Sequence, residues 1–294
     1  MRPCLLLLAL LSVPASSQTV RAQDSRPAKP VPPKKVGEPA YPSAKVVNAG
    51  VEIKRTPFQA GDTFEVASSH DMSLGATVIG GGALSRTDET HTNSQRVSVV
   101  VTGAEEDGTV TSLELKVLEL SQDGKRVAAI EGKTYTGELN AKGRIEFVDG
   151  AGKPVKNARA RSVCGEVARG LEGGPTRQLV APLPNGKLKV GAVVKFEARA
   201  LRRILRLGNT LKVQRVVYRG TRTVRGYQLA VFDLRATTQA GGQTLVIGGE
   251  VLIDPKTGRL SDLDLAGALT ISRRKKRGTE GEGTLRIRRE IVGR

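Results

Sequence analysis

Cysteine, histidine and tryptophan are nearly missing from this chain of 294 residues. It has two cysteines, Cys4 and Cys164, two histidines, His70 and His91, no tryptophan, and only 4 Tyr and 5 Phe. One thiol beyond the N-terminal region cannot close an internal disulfide, so the fold must stand on its core. That core has to be assembled from Val, Leu, Ile and Ala. Scarce aromatics argue against stacking platforms for bases or sugars. There is no Gly-x-Ser-x-Gly elbow, His-Glu-x-x-His, paired Cys-x-x-Cys or Walker loop. No catalytic residue, metal ligand or cofactor is therefore assigned. His70-Asp71 and Asp88-Glu89-Thr90-His91 read as exposed strand positions rather than metal ligands. Asp262 and Asp264 read as one solvated strand face.

Long apolar runs are also missing. The longest follows Met1-Arg2-Pro3-Cys4 and covers only 5–13. A basic start, a short apolar stretch and small residues beyond it predict a secretory signal peptide over 1–22. It is too short to span a bilayer, and no later stretch is long enough, so the mature chain is expected to lack a transmembrane segment. The expected location is periplasmic or extracellular. Residues 23–57 follow as a proline-rich, disordered linker, with six of the 14 prolines in 23–43.

Acidic residues thin out in the second part of the chain. Residues 61–150 carry 8 Lys/Arg and 15 Asp/Glu, a net of −7, whereas 151–294 carry 30 Lys/Arg and 11 Asp/Glu, a net of +19. Such asymmetry speaks to partners rather than to fold. Between Glu197 and Asp233 there is no acid, while Arg202, Arg203, Arg206, Lys212, Arg215, Arg219, Arg222 and Arg225 supply positive charge. Arg273-Arg274-Lys275-Lys276-Arg277 adds a further basic run. Arginine favours bidentate contact with phosphate, sulfate or carboxylate. Arg202, Arg206, Arg215, Arg219, Arg273, Arg274 and Arg277 are the candidate ligand-binding residues. The expected partner is an anionic polymer or a lipid headgroup. Nucleic acid is disfavoured, because export removes the usual target.

What the chain does have is period-two alternation. In 109–120, Leu113, Leu115 and Val117 point one way and Glu114 and Lys116 the other, the mark of an antiparallel strand with one wet face. Asp107-Gly108 and Asp123-Gly124 bracket it as hairpin-type turns. Short strands are predicted over 126–130, 134–139 and 144–148. In the second part they fall over 190–198, 211–218, 228–237, 245–253 and 284–292, with a further one around Leu263 to Ile271. A single helix is predicted from Pro154 to Leu171. Val155, Ala158, Val163, Val167 and Leu171 make its apolar stripe, and Cys164 lies beside it as a small buried hydrophobe.

The halves on either side of the helix share phrases. Gly61-Asp62-Thr63-Phe64-Glu65 loosely matches 191–197. Thr136-Gly137-Glu138-Leu139 with Gly143-Arg144-Ile145 matches Gly248-Gly249-Glu250-Val251 with Gly258-Arg259-Leu260. This layout resembles a family of uncharacterised secreted bacterial proteins with two β-rich halves. More distantly it is similar to the lipoprotein-carrier proteins of the bacterial envelope. The resemblance implies architecture only.

The expected fold is mainly β: two related, curved, half-barrel-like antiparallel sheets, or one sheet in two halves, joined by one short helix. The expected layout is a first β half over 58–150, helix and connector over 151–188, and a basic β half over 189–294. The function these features favour is non-catalytic binding of an anionic or amphipathic envelope ligand. A hydrolase acting on an envelope polymer and a purely structural surface component are the alternatives.

Overall fold

The computed structural model describes residues 46–54, 56–80, 83–171, 187–196, 201–202, 205, 211–240, 242–271 and 278–293. The signal peptide and residues 23–45 of the expected linker fall outside them.

Among the described residues, alternating apolar and polar residues build eleven strands: β1 (Thr63–Gly80), β2 (Ala83–Ala104), β3 (Val110–Gln122), β4 (Lys125–Arg126), β5 (Thr134–Leu139), β6 (Ile145–Asp149), β7 (Lys212–Val224), β8 (Tyr227–Ala240), β9 (Gln243–Ile253), β10 (Leu260–Ile271) and β11 (Gly278–Gly293). Helix α1 (Ala158–Leu171) lies between β6 and β7. The architecture is mainly β, as the alternation predicts. Of the two arrangements left open by the sequence, the single sheet in two halves is the one formed. Its order is β6-β5-β3-β2-β1-β11-β10-β9-β8-β7, with β4 pairing β3, and it is curled but not closed. The first and last strands fuse the halves by antiparallel pairing from Phe64↔Gly293 to Ile79↔Gly278.

Side chains alternate across a strand, so each strand divides between two faces. Phe64 and Val66 of β1, Val97, Val99 and Val101 of β2, and Leu113, Leu115 and Val117 of β3 share one face with the helix side chains Ala160, Val163, Cys164, Val167, Ala168 and Leu171. The same face of the second half carries Val216, Tyr218, Phe232, Leu234, Ile247, Leu263, Leu265 and Ile287. We call this the covered face and the other the open face. Each fully buried aliphatic side chain contributes roughly 1.5–3 kcal/mol, so the covered face supplies the core that disulfides do not.

Several sequence expectations are corrected. The helix begins at Ala158, not Pro154, because the Asn157 side chain caps it. Asn157 Oδ1 accepts from the N–H groups of Arg159 (2.9 Å) and Ala160 (3.1 Å). Pro154 instead bridges Val148. Val155 therefore precedes the helix and Ala158 is exposed, while Ala160 and Ala168 join the buried stripe. The strand predicted over 126–130 ends at Arg126, and 128–132 form a turn. Leu201, Arg202 and Leu205 lie outside the predicted strands and have helical backbone. Leu201 and Leu205, four apart, are both buried in the second core.

The last part of the expected linker is tied down. Val47 bridges Thr221, Val51 bridges Leu188, and the Tyr218 hydroxyl donates to Ala49 O at 2.6 Å. Further along, Arg259 Nη2 donates to Pro57 O at 2.9 Å and to Asp62 Oδ2 at 2.8 Å. The Arg259 guanidinium lies 3.9 Å from the centre of the Phe58 ring. Residues 46–54 and 56–58 thus link the β7 edge of the second half to the first half.

Candidate functional site

The open face of the second half holds the site. Consecutive strands place Arg215 opposite Arg235, Arg235 opposite Gly248, Gly248 opposite Ala266, and Ala266 opposite Arg286. The neighbouring row runs Val217, Asp233, Glu250, Asp264, Arg288. Because Gly248 has no side chain and Ala266 only a methyl, the first row sinks into a trough. The result is an open groove of about 690 Å³, walled by Arg215, Val217, Arg219, Asp233, Arg235 and Val246 over Gly248, Gly249 and Ala266. Gly249 is required here: its φ is +152°, and a Cβ would sit 2.1 Å from Asp264 O. That is a backbone approach only glycine permits.

Three acids stand opposite one another in the second row, and like charges so placed destabilise a sheet. Arginines neutralise each of them. Arg219 pairs with Asp233. Arg222 grips Glu250 through two hydrogen bonds of 2.8 and 2.9 Å. Arg286 grips Asp264 at 2.9 and 2.7 Å, with Arg288 a further 3.8 Å away. Asp262 and Asp264 are therefore not a solvated face: they are 4% and 7% exposed. The pairing happens almost wholly within the second half. Arg225 reaches Glu290, and Arg259 with Asp62 joins the two halves.

Arg215 and Arg235 are the exception. They are exposed, stand directly opposite one another, and take part in none of the ion pairs among the described residues. Two like charges side by side with no acid between them form a site that an anion would stabilise. Beside them Val217 and Val246 give the groove an apolar lining, Val246 being 37% exposed.

Of the residues predicted from sequence, Arg215 and Arg219 line this groove, the second as partner of Asp233. Arg202 does not join them. It adjoins Leu201 on the helical turn packed against the covered face. Arg206, Arg273, Arg274 and Arg277 lie outside the described residues. β7 shifts register between Val213 and Arg215 and again between Tyr218 and Gly220, and Arg225 sits in the following turn with φ 50°. Arg235 was missed because it stands close to Asp233 in sequence and reads as half of a local charge pair. Only the β7–β8 register sets it against Arg215.

His70 and His91 are half-buried on the covered face rather than exposed. They do not meet, since His70 is opposite Asn93 and His91 opposite Met72. His91 lies between Asp123 (3.3 Å) and Glu89 (3.6 Å). No helix of the described residues is long and apolar enough to cross a membrane.

No family model matches the chain, and no curated protein matches it. Among solved structures it is similar to lipovitellin, in a structure concerned with lipid–protein interactions, at 9% identity and a TM-score of 0.35, over 81% of this chain and 25% of that one. The chain therefore spans about a quarter of that protein's length. It is also similar to DynF from the dynemicin biosynthesis pathway of Micromonospora chersina (12% identity, 87% and 92% of the two chains, TM-score 0.16). A DUF1329 family protein from Desulfovibrio piger follows, at 9% identity over 77% and 83% of the two chains, with a TM-score of 0.11. Likeness at this level carries no functional argument, so function rests on the groove.

Proposed function

We propose that this chain is an exported, non-catalytic binding protein that holds an anionic amphiphile in the open-face groove of its second half. The headgroup sits between Arg215 and Arg235, and the apolar part lies along Val217, Val246 and Ala266. The observation that carries this reading is the directly opposed arginine couple, in no ion pair among the described residues, at a groove with an apolar lining. Every acid in the next row already has its own arginine, so the couple is not a remnant of incomplete pairing. The groove volume lies within the range of small-molecule sites. Export is supported by the basic and apolar N-terminal sequence, and sequencing the N-terminus of the protein recovered outside the cytoplasm tests it.

Calorimetric titration with dodecyl phosphate and with dodecanol tests the binding reading. The phosphate ester should bind and the alcohol should bind much more weakly. Charge-assisted hydrogen bonds contribute about 1.5–3 kcal/mol each, so R215E/R235E should weaken the phosphate ester at least about tenfold. Ala266→Leu, which fills the trough, should weaken it without altering charge. Equal affinity for both amphiphiles, or binding indifferent to both variants, overturns the proposal.

A further inference from the structure

The β1–β2 hairpin outruns its neighbour on one side. β2 pairs β1 as far as Gly80↔Ala83, but its pairing with β3 stops at Asn93↔Gln122. Among the described residues nothing pairs the other edge of β2 over 83–91, and Arg86 to Thr90 are all exposed. Thr92 marks which residues face that edge. Its C=O accepts from Asp123 N–H at 2.6 Å and its N–H donates to Asp123 Oδ1 at 3.2 Å. In an antiparallel ladder, alternate residues face one neighbour. Thr90, Asp88 and Arg86 therefore turn their N–H and C=O groups outward, away from β1.

Such an edge is a template for another strand unless it is blunted by like charge, proline or a bulge. This one has no proline, and the β1–β2 ladder runs through it without a register shift. Its two outward-facing charged residues are opposite in sign. Arg86 and Asp88 are 75% and 68% exposed and meet each other at 3.4 Å, an intrachain contact of little energetic weight.

We infer that this edge pairs with the same edge of a second copy of the chain. A two-fold axis through Thr87 sets Arg86 opposite Asp88 of the other copy, Asp88 opposite its Arg86, and Thr87 opposite its Thr87. Outward-facing residues meet outward-facing residues, as antiparallel hydrogen bonding requires. Both Arg–Asp pairs lie on the open face, where opposite charges directly across a ladder are favourable. The interface is isologous, so the assembly closes as a dimer. The open faces of both copies become continuous, and neither groove is covered by the contact.

Sedimentation velocity over a concentration series tests this. The wild-type protein should show a concentration-dependent monomer–dimer equilibrium. R86D and D88R each replace two attractive pairs by two repulsive ones, which should raise the dimer Kd on the order of tenfold or more. The combined swap R86D/D88R restores both pairs and should recover the wild-type Kd. Thr90→Pro removes an outward N–H while leaving the pairing with β1, and should abolish the dimer without loss of thermal stability. A wild-type protein that stays monomeric throughout overturns the inference. So does a dimer that survives Thr90→Pro, or one that the combined swap fails to rescue.

Discussion

Cys164 shows how one side chain ties helix packing to pH. It is 2% exposed among Val163, Val167 and the β2 and β3 valines and leucines. Burial pushes its thiol up to about 12. The folded pKa thus lies above the unfolded one. The stability linked to this group is full below about pH 8.5 and is lost as pH rises from there toward 12. In chemical denaturation, stability should therefore fall through that alkaline window, and Cys164→Ala should flatten that part of the decline. The native thiol should react with a thiol reagent at neutral pH only as fast as the protein unfolds. Fast labelling of the folded protein would contradict this. Asp264 makes a second residue-scale case. Its side chain is buried and gripped at two points by Arg286. Asp264→Ala removes a buried carboxylate and both hydrogen bonds it accepts from Arg286, and the cost should be about 3 kcal/mol in urea denaturation. A loss below about 0.5 kcal/mol, the level of an ordinary surface substitution, would show the pair to be ornamental.

At the scale of elements, the sequence shows a strand plainly when one face is wet. β3, β5 and β6 lie within a residue or two of their predicted bounds, because Leu113, Leu115 and Val117 alternate cleanly with charged residues. The helix was legible by its stripe but not by its start, since Pro154 imitates a first-turn residue while Asn157 is the cap. Asn157→Ala should cost about 1 kcal/mol and fray the first turn, visible as faster amide exchange at Arg159 and Ala160; unchanged exchange there would count against the cap. Leu201 and Leu205 were hidden by the arginines between and around them, although their spacing of four is a helical signal. Turns carry the other regularity. Gly61 N donates to Val101 O and Val101 N to Asp62 O, and Gly191 N donates to Tyr218 O and Tyr218 N to Ala192 O in the same pattern. Both glycines have positive φ, 95° and 87°. These matching turns bear on the expected kinship of the two halves. They stand where the loose sequence phrases place them.

For the whole molecule, what the sequence could not show is register. Composition reveals that the second half is basic, but not that Arg219, Arg222, Arg225, Arg286 and Arg288 are occupied by acids of the same half. Among the described arginines of β7 and β8, those pairs leave Arg215 and Arg235 as a directly opposed couple in none of the ion pairs, beside a trough that Gly248 and Ala266 leave open. Only the ladder from β7 to β10 brings these together, because Arg215 and Ala266 are 51 residues apart in sequence. On the proposed function, this couple retains an anionic amphiphile. Mass spectrometry of the organic extract from protein purified without detergent, from its own compartment, tests that most directly. The wild-type extract should contain an anionic amphiphile near one equivalent, and the R215E/R235E extract should lack it while the protein keeps its fold. An extract with no anionic amphiphile, or the same amount from both proteins, would contradict the account.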